Sequence, residues 1–184
     1  PVLKMLFAFL ILQFFMMMNE ISATSVSRDG TDETTFLKTL PVKLEKQMDS
    51  KAMPSVYVGI FNLCISMIFN LVIFDLNFIE IILLIVGGIL LNVVQSYLFL
   101  IIDIKHPKLQ WESEVAVVKH NMNVLKAILL WFGIIIFTSL IGNVFLIFNL
   151  NYFSYAYVLI LAVSILLIRK YLKQNVEKMF EKIF

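Results

Sequence analysis

Residues 54 to 102 and 127 to 168 contain no lysine or arginine, and every basic residue except Lys4 lies in one of three polar stretches before, between and after these two apolar blocks. A water-facing surface does not accommodate hydrocarbon runs of that length. Backbone N–H and C=O groups in lipid must pair within their own segment, so such blocks are helical. A transmembrane barrel would show weak alternation in short segments, and the chain shows none. Composition agrees: 60% of the residues are hydrophobic, against roughly 45–50% in a soluble domain.

The predicted fold class is therefore all-α: a polytopic helical membrane protein with about five transmembrane helices. They fall near residues 3–18, 55–74, 78–102, 127–148 and 152–168. A crossing needs roughly 20 apolar residues, with about 17–25 the usual range. The first is short, as a segment cut at its start would be, and the chain begins directly on it at Pro1. The third is long enough to tilt. Asp75-Leu76-Asn77 and Asn149-Leu150-Asn151 are tight connections. They fold the last four crossings into two antiparallel hairpins beside one N-terminal crossing.

Charge gives the expected sidedness. Arg28, Lys38, Lys43, Lys46 and Lys51 fill the first polar connection; Lys105, Lys108 and Lys119 fill the second, with Lys126 at its edge. Arg169, Lys170, Lys173, Lys178 and Lys182 fill the tail. The two hairpin tips have no cation. The positive-inside rule places the basic segments in the cytoplasm, with residue 1 outside and the C-terminus inside. A rival for the first segment is a signal peptide, with Ile21-Ser22-Ala23 as its cleavage site; cleavage would put Arg28 to Lys51 outside, against the charge rule. The net charge of +2 is too small to suggest nucleic acid as a partner; the lipid bilayer is the expected surroundings.

Aromatics sit where belts are expected: Tyr152, Phe153, Tyr155 and Tyr157 at the outer side of the last crossing, Trp131 and Tyr57 near the inner ends of the fourth and second. Ordinary packing explains each equally well. Cys64, the single cysteine, lies in an apolar run and is expected to be buried and inert.

The connections have their own pattern. Residues 22–53 form a loop in which Asp29-Gly30 signals a turn and 31–40 suits a short helix. Pro41 suits the first turn of a second helix reaching Ala52. Leu44, Met48 and Ala52 recur on it at helical spacing, which describes an amphipathic interfacial helix or a docking element. In the 103–123 loop, Pro107 ends one helix and Ser113 caps another that runs into the fourth crossing. Residues 169–184 form a basic tail, expected in the cytoplasm.

Little in the chain suggests catalysis. It has no phosphate-binding glycine loop, no HExxH and no paired-cysteine metal signature, so no cofactor is expected. His106, His120, Asp103, Glu112 and Glu114 match no common metal spacing. No charge lies deep in a crossing, which argues against an ion-coupled carrier. The intramembrane polar residues are neutral: Asn62, Ser66, Asn70, Asn92, Gln95, Thr138, Ser139 and Asn143. Interhelical hydrogen bonding is their default role, and Asn92, Gln95 and Asn143 are candidates for lining a path. Gly87, Gly88, Gly133 and Gly142 permit close helix approach.

Two stretches carry a resemblance. The first connection contains Ser27, Arg28, Asp29 and Gly30, then Lys38, Leu40, Pro41 and Val42, then Gln47 and Lys51. The second contains Asp103, Pro107, Lys108, Leu109 and Trp111, then Ala116, Val117, Val118 and Lys119, then Asn121 and Asn123. In this order, and with the basic Phe-Glu-Lys ending, they resemble the membrane-spanning permease of bacterial ABC exporters; Asp29 stands where that pattern has Glu. The resemblance implies a longer chain with further upstream crossings, no chemistry of its own, and a second membrane half or homodimer partner. It also implies a separate ABC ATPase subunit docking on the first connection, with Lys38, Pro41, Leu44, Met48 and Lys51 as docking residues. The rivals are a carrier working without ATP and a membrane scaffold. The sparse, uncharged lining suggests an amphipathic or lipid-like cargo.

Overall fold

A computed structural model of the chain describes residues 2–119 and 121–181. Among the described residues it is all-α, with seven helices: α1 (Val2–Met17), α2 (Gly30–Thr39), α3 (Leu44–Ile73), α4 (Phe78–Lys105), α5 (Glu114–Lys119), α6 (Met122–Ile147) and α7 (Phe153–Glu181). Short 3-10 turns at Ile21–Thr24 and Ser27–Asp29 link α1 to α2. Five stretches, containing α1, α3, α4, α6 and α7, are long and apolar enough to cross a membrane. The chain is a polytopic helical membrane protein.

The first crossing, far from standing alone, is the centre of the bundle. α1 packs on α3, α4, α6 and α7, and its Phe9, Leu12 and Met16 are fully buried. The α3–α4 hairpin packs tightly, whereas α6 lies mainly on α1 and α4, and α7 on α4. Many large side chains of α3, α6 and α7 face outward, including Val72, Phe137 and Leu167. Lipid or further helices can cover them without cost. Cys64 is among the outward-facing residues, so the expectation of a buried thiol fails: its run is apolar because it meets lipid, not because it forms core.

Helix ends follow local chemistry. Asn77 and Glu80 form a capping box at the start of α4. α6 ends in a Schellman pair. Asn149, at φ 51°, sits in the left-handed region; its N–H donates to Leu146 O (3.2 Å) and that of Leu150 to Phe145 O (2.9 Å). Lys4 sits with the hairpin tips, donating to Asp75 O (2.7 Å) and to the Glu80 carboxylate (2.6 Å). The N-terminal end of α1 and both tips thus share one end of the bundle; the basic connections and the end of α7 share the other.

Two boundary expectations need correction. No separate helix spans 41–52: α3 runs unbroken from Leu44 through Pro54 to Ile73. At about 1.5 Å per residue it is about 45 Å long, so its first turns extend beyond a ~30 Å hydrocarbon layer. Pro54 deprives the Ser50 carbonyl of a helical donor, and the neighbouring Lys51 carbonyl accepts from Ser25 Oγ (2.9 Å). The fourth crossing does not continue the Ser113-capped helix. Asn121 is extended and caps a new start, its side chain accepting from Asn123 N–H (2.9 Å). The tail is helical: α7 continues into it as far as Glu181, and Leu172 and Val176 are buried against the end of α4.

Glycine sets the α3–α4 distance. A Cβ on Gly59 would overlap the Asn92 amide, whose Nδ2 donates to Val56 O (2.8 Å). Gly87, Gly88 and Gly142 meet Phe9, Leu63 and Leu6 in the same way, but Gly133 has nothing within 4 Å and permits no close approach. Gly59→Ala should therefore destabilise by about 1–3 kcal/mol in a micelle thermal melt, while Gly133→Ala leaves the melt unchanged. Equal melts for the two would refute the close-contact assignment.

The aromatic assignments divide. Tyr57, Tyr152 and Tyr155 are exposed, as belt residues would be, whereas Phe153, Tyr157 and Trp131 are core. Phe153 and Tyr157 stack at 5.8 Å between centroids, and Tyr157 meets Phe9 at 4.8 Å.

Candidate functional site

The two stretches that carry the resemblance are joined at the basic end of the bundle. Asp103, in the last turn of α4, is fully buried. Its carboxylate accepts from Val26 N–H (2.7 Å), Ser27 N–H (2.9 Å), Ser27 Oγ and Asn123 Nδ2 (2.9 Å). A buried carboxylate persists only when its lone pairs are met in this way. Ser27 spends its remaining groups on the second connection: its hydroxyl accepts from Lys108 N–H (2.9 Å) and its carbonyl from Trp111 Nε1 (3.0 Å). Asn123 also donates to His106 O (2.8 Å), so α4, the loop and the first turn of α6 close on one another.

Around this clamp the other motif residues have structural tasks. Gly30 takes φ 66°, a backbone state that favours glycine, beside Trp111. Lys51 and Asp29 form an ion pair between α3 and the turn before α2. Gln47, nearly buried, donates to Leu37 O (3.1 Å) and Val42 O (2.9 Å), fastening the α2–α3 turn onto α3. Tyr97 donates to Asp49, and Arg169 lies 5.9 Å over the Tyr97 ring, so α3, α4 and α7 meet there as well.

The expected docking residues do not form one outward face. Met48 is 1% exposed and Leu44 half-buried, both packed with Tyr97, Leu100, Ile104 and Leu172. Their helical spacing marks a face turned toward this chain's own helices, so Met48 is core and no docking contact. Lys51 is engaged by Asp29. The side chain of Lys38 lies outside the described residues. Pro41 is exposed at the α2–α3 turn, and beside it Phe36 and Val42 are 60% and 45% exposed. Among the described residues of this tip, Phe36 and Val42 are the exposed large apolar side chains. A cleft of about 510 Å³ lies next to the clamp, lined by Arg28, Trp111, Val115 and Lys119 among others.

Nor do the three path candidates line one path. Asn92 and Gln95 are buried, and Gln95 donates to Met16 O (2.8 Å) and Asn19 O (3.2 Å). Asn143 is exposed on the outer face of α6 and donates to Ser139 O (2.9 Å) of its own helix. Neutral polar residues here staple helices. Asn19 donates to Ser55 O (2.7 Å), and Ser96 donates to Ser55 Oγ (2.9 Å). Gln13 escaped the sequence reading, although it is the one amide inside the first apolar run. Its side-chain amide donates to Thr138 Oγ1 (2.8 Å) and to Tyr157 OH, and its backbone carbonyl accepts from Trp131 Nε1 (2.9 Å). Three crossings thus join at one buried point. Among the described residues no three His, Cys, Asp or Glu side chains gather as a metal site; His120 lies outside them.

Compared with known protein families, curated proteins and solved structures, the chain matches none.

Proposed function

We propose that this chain is the C-terminal part of the permease of a bacterial ABC exporter, working in the cytoplasmic membrane. Its basic end, with the C-terminus, faces the cytoplasm. It forms part of the translocation path with a second membrane half and docks a separate ATPase subunit, which performs all nucleotide chemistry. One observation carries the reading. The motif residues, about eighty positions apart in the chain, converge on Ser27 and Asp103. The outcome is a rigid mount that presents the α2–α3 tip from the end of a membrane bundle, as a part receiving force from a soluble subunit would need. ATP then acts through the difference in free energy between two arrangements of the helices.

The test is purification from native membranes followed by reconstitution. A nucleotide-binding subunit should copurify in stoichiometric amount, and amphipathic cargo should move across vesicles only while ATP is supplied. Flux that follows an ion gradient without the ATPase would establish a carrier instead. No copurifying subunit and no flux would establish a scaffold.

A further inference from the structure

We propose that the seam between α4 and α7 holds one anionic phospholipid, its phosphate at the basic end and an acyl chain along the bundle. The seam has two chemically distinct parts in register. Toward the middle is an open apolar groove of about 340 Å³, with Leu91, Val94 and Leu98 from α4, Leu167 and Ile168 from α7, and Phe137 from α6. It exists because the α6–α7 hairpin is splayed. Its legs touch near the tip, where Phe145 meets Phe153 and Thr138 donates to Tyr157 OH (3.2 Å), and α6 then leans on α1. Toward the basic end is a cleft of about 370 Å³ lined by Lys105, His106, Tyr171, Asn175, Lys178 and Met179.

Helical periodicity makes the two parts continuous. On α7, Ser164, Leu167 and Ile168 of the groove are followed at three- and four-residue steps by Tyr171, Asn175 and Lys178 of the cleft. Such steps keep to one face. On α4, Leu98 and Lys105 are seven apart, two turns along one face. Ile168 and Tyr171 are separated by about 4.5 Å of helix rise, so head and tail sites adjoin. Lys105 Nζ stands 5.4 Å over the Tyr171 ring at the junction.

Charge decides the occupant. The described residues of the cleft include Lys105 and Lys178 and no acid. A basic pocket at the edge of the hydrocarbon layer is suited to a phosphate headgroup. A zwitterionic lipid would bring its own cation against these lysines, and a free anion would leave the groove unused. The site is independent of any ATPase partner.

The test uses the whole chain purified in a neutral detergent, with native mass spectrometry and a thermal melt as readouts. Phosphatidylglycerol should remain bound at least about tenfold more strongly than phosphatidylcholine of the same chains, and should raise the melting temperature. Lys105→Gln with Lys178→Gln should abolish that preference while leaving phosphatidylcholine binding unchanged. Ser164→Trp, which fills the groove, should reduce binding of both lipids. The lipid-dependent rise in melting temperature of the unaltered protein serves where a variant fails to fold. Equal retention of the two lipids by the unaltered protein would overturn the proposal. So would full displacement of phosphatidylglycerol by millimolar inorganic phosphate, which would mark a simple anion site.

Discussion

Asp103→Ala should release the first connection from the bundle while the five long helices stay assembled. The substitution leaves two backbone N–H groups, a hydroxyl and an amide without their acceptor in a place closed to solvent. Each unmet buried donor costs about 1–3 kcal/mol and the costs are not additive, so about 3–5 kcal/mol is expected for the group. The loss is local, because α1 and the α3–α4 contact stand on apolar packing elsewhere. Trypsin reports it. Arg28, Lys43 and Lys46 lie in or beside the released segment, and cleavage there should accelerate at least tenfold in micelles, since proteolysis follows the opening equilibrium. Ser27→Ala should give a smaller change in the same direction, because the carboxylate keeps its backbone donors. An unchanged cleavage pattern in Asp103→Ala would show that the clamp does not hold the connection.

The fold was legible where one physical rule acts alone. Hydropathy over residues 54–102 and 127–168 has few competitors in water or lipid, so the helices and tips appeared near their observed places. The two tips were legible as short polar breaks, while their caps, Asn77 with Glu80 and Asn149, emerge only in the structure. What stayed hidden depends on which side of a helix meets protein. In lipid, inward and outward residues are equally apolar, so Cys64 and Leu63 look alike in sequence, yet one is exposed and the other is core. The same blindness assigned Met48 to a surface. An amphipathic pattern tells that a face is covered and not by what; here α4 and α7 cover it. The expected division between a helix ending at Ala52 and a crossing starting at residue 55 fails for another reason: one helix continues through Pro54 beside the Ser25–Lys51 contact. The Asp103 clamp had a sequence trace only as motif residues in two loops. Pairing across seventy-six positions, as between Ser27 and Asp103, follows from tertiary packing and has no local signature.

Two variants on neighbouring turns should separate docking from packing. Phe36→Asp with Val42→Asp places charge on the exposed tip, where both residues face away from the bundle. The unbound chain should melt as before, because neither side chain belongs to either buried cluster. Under the proposed function, binding of an ATPase subunit should weaken at least about thirtyfold, corresponding to about 2 kcal/mol or more at the centre of an interface, and transport should fall with it. Met48→Asp should do the reverse in order of cause. It buries an unpaired carboxylate among Tyr97, Leu100 and Leu172, so the melt should fall by several kcal/mol before any partner is added. If the tip variant melts normally and still binds and transports as the unaltered protein does, the α2–α3 turn is no docking element, and the mount at Asp103 serves stability alone. If Met48→Asp melts normally but loses its partner, the inward placement of that face is what fails. The pair therefore divides the two roles that one amphipathic pattern leaves joined.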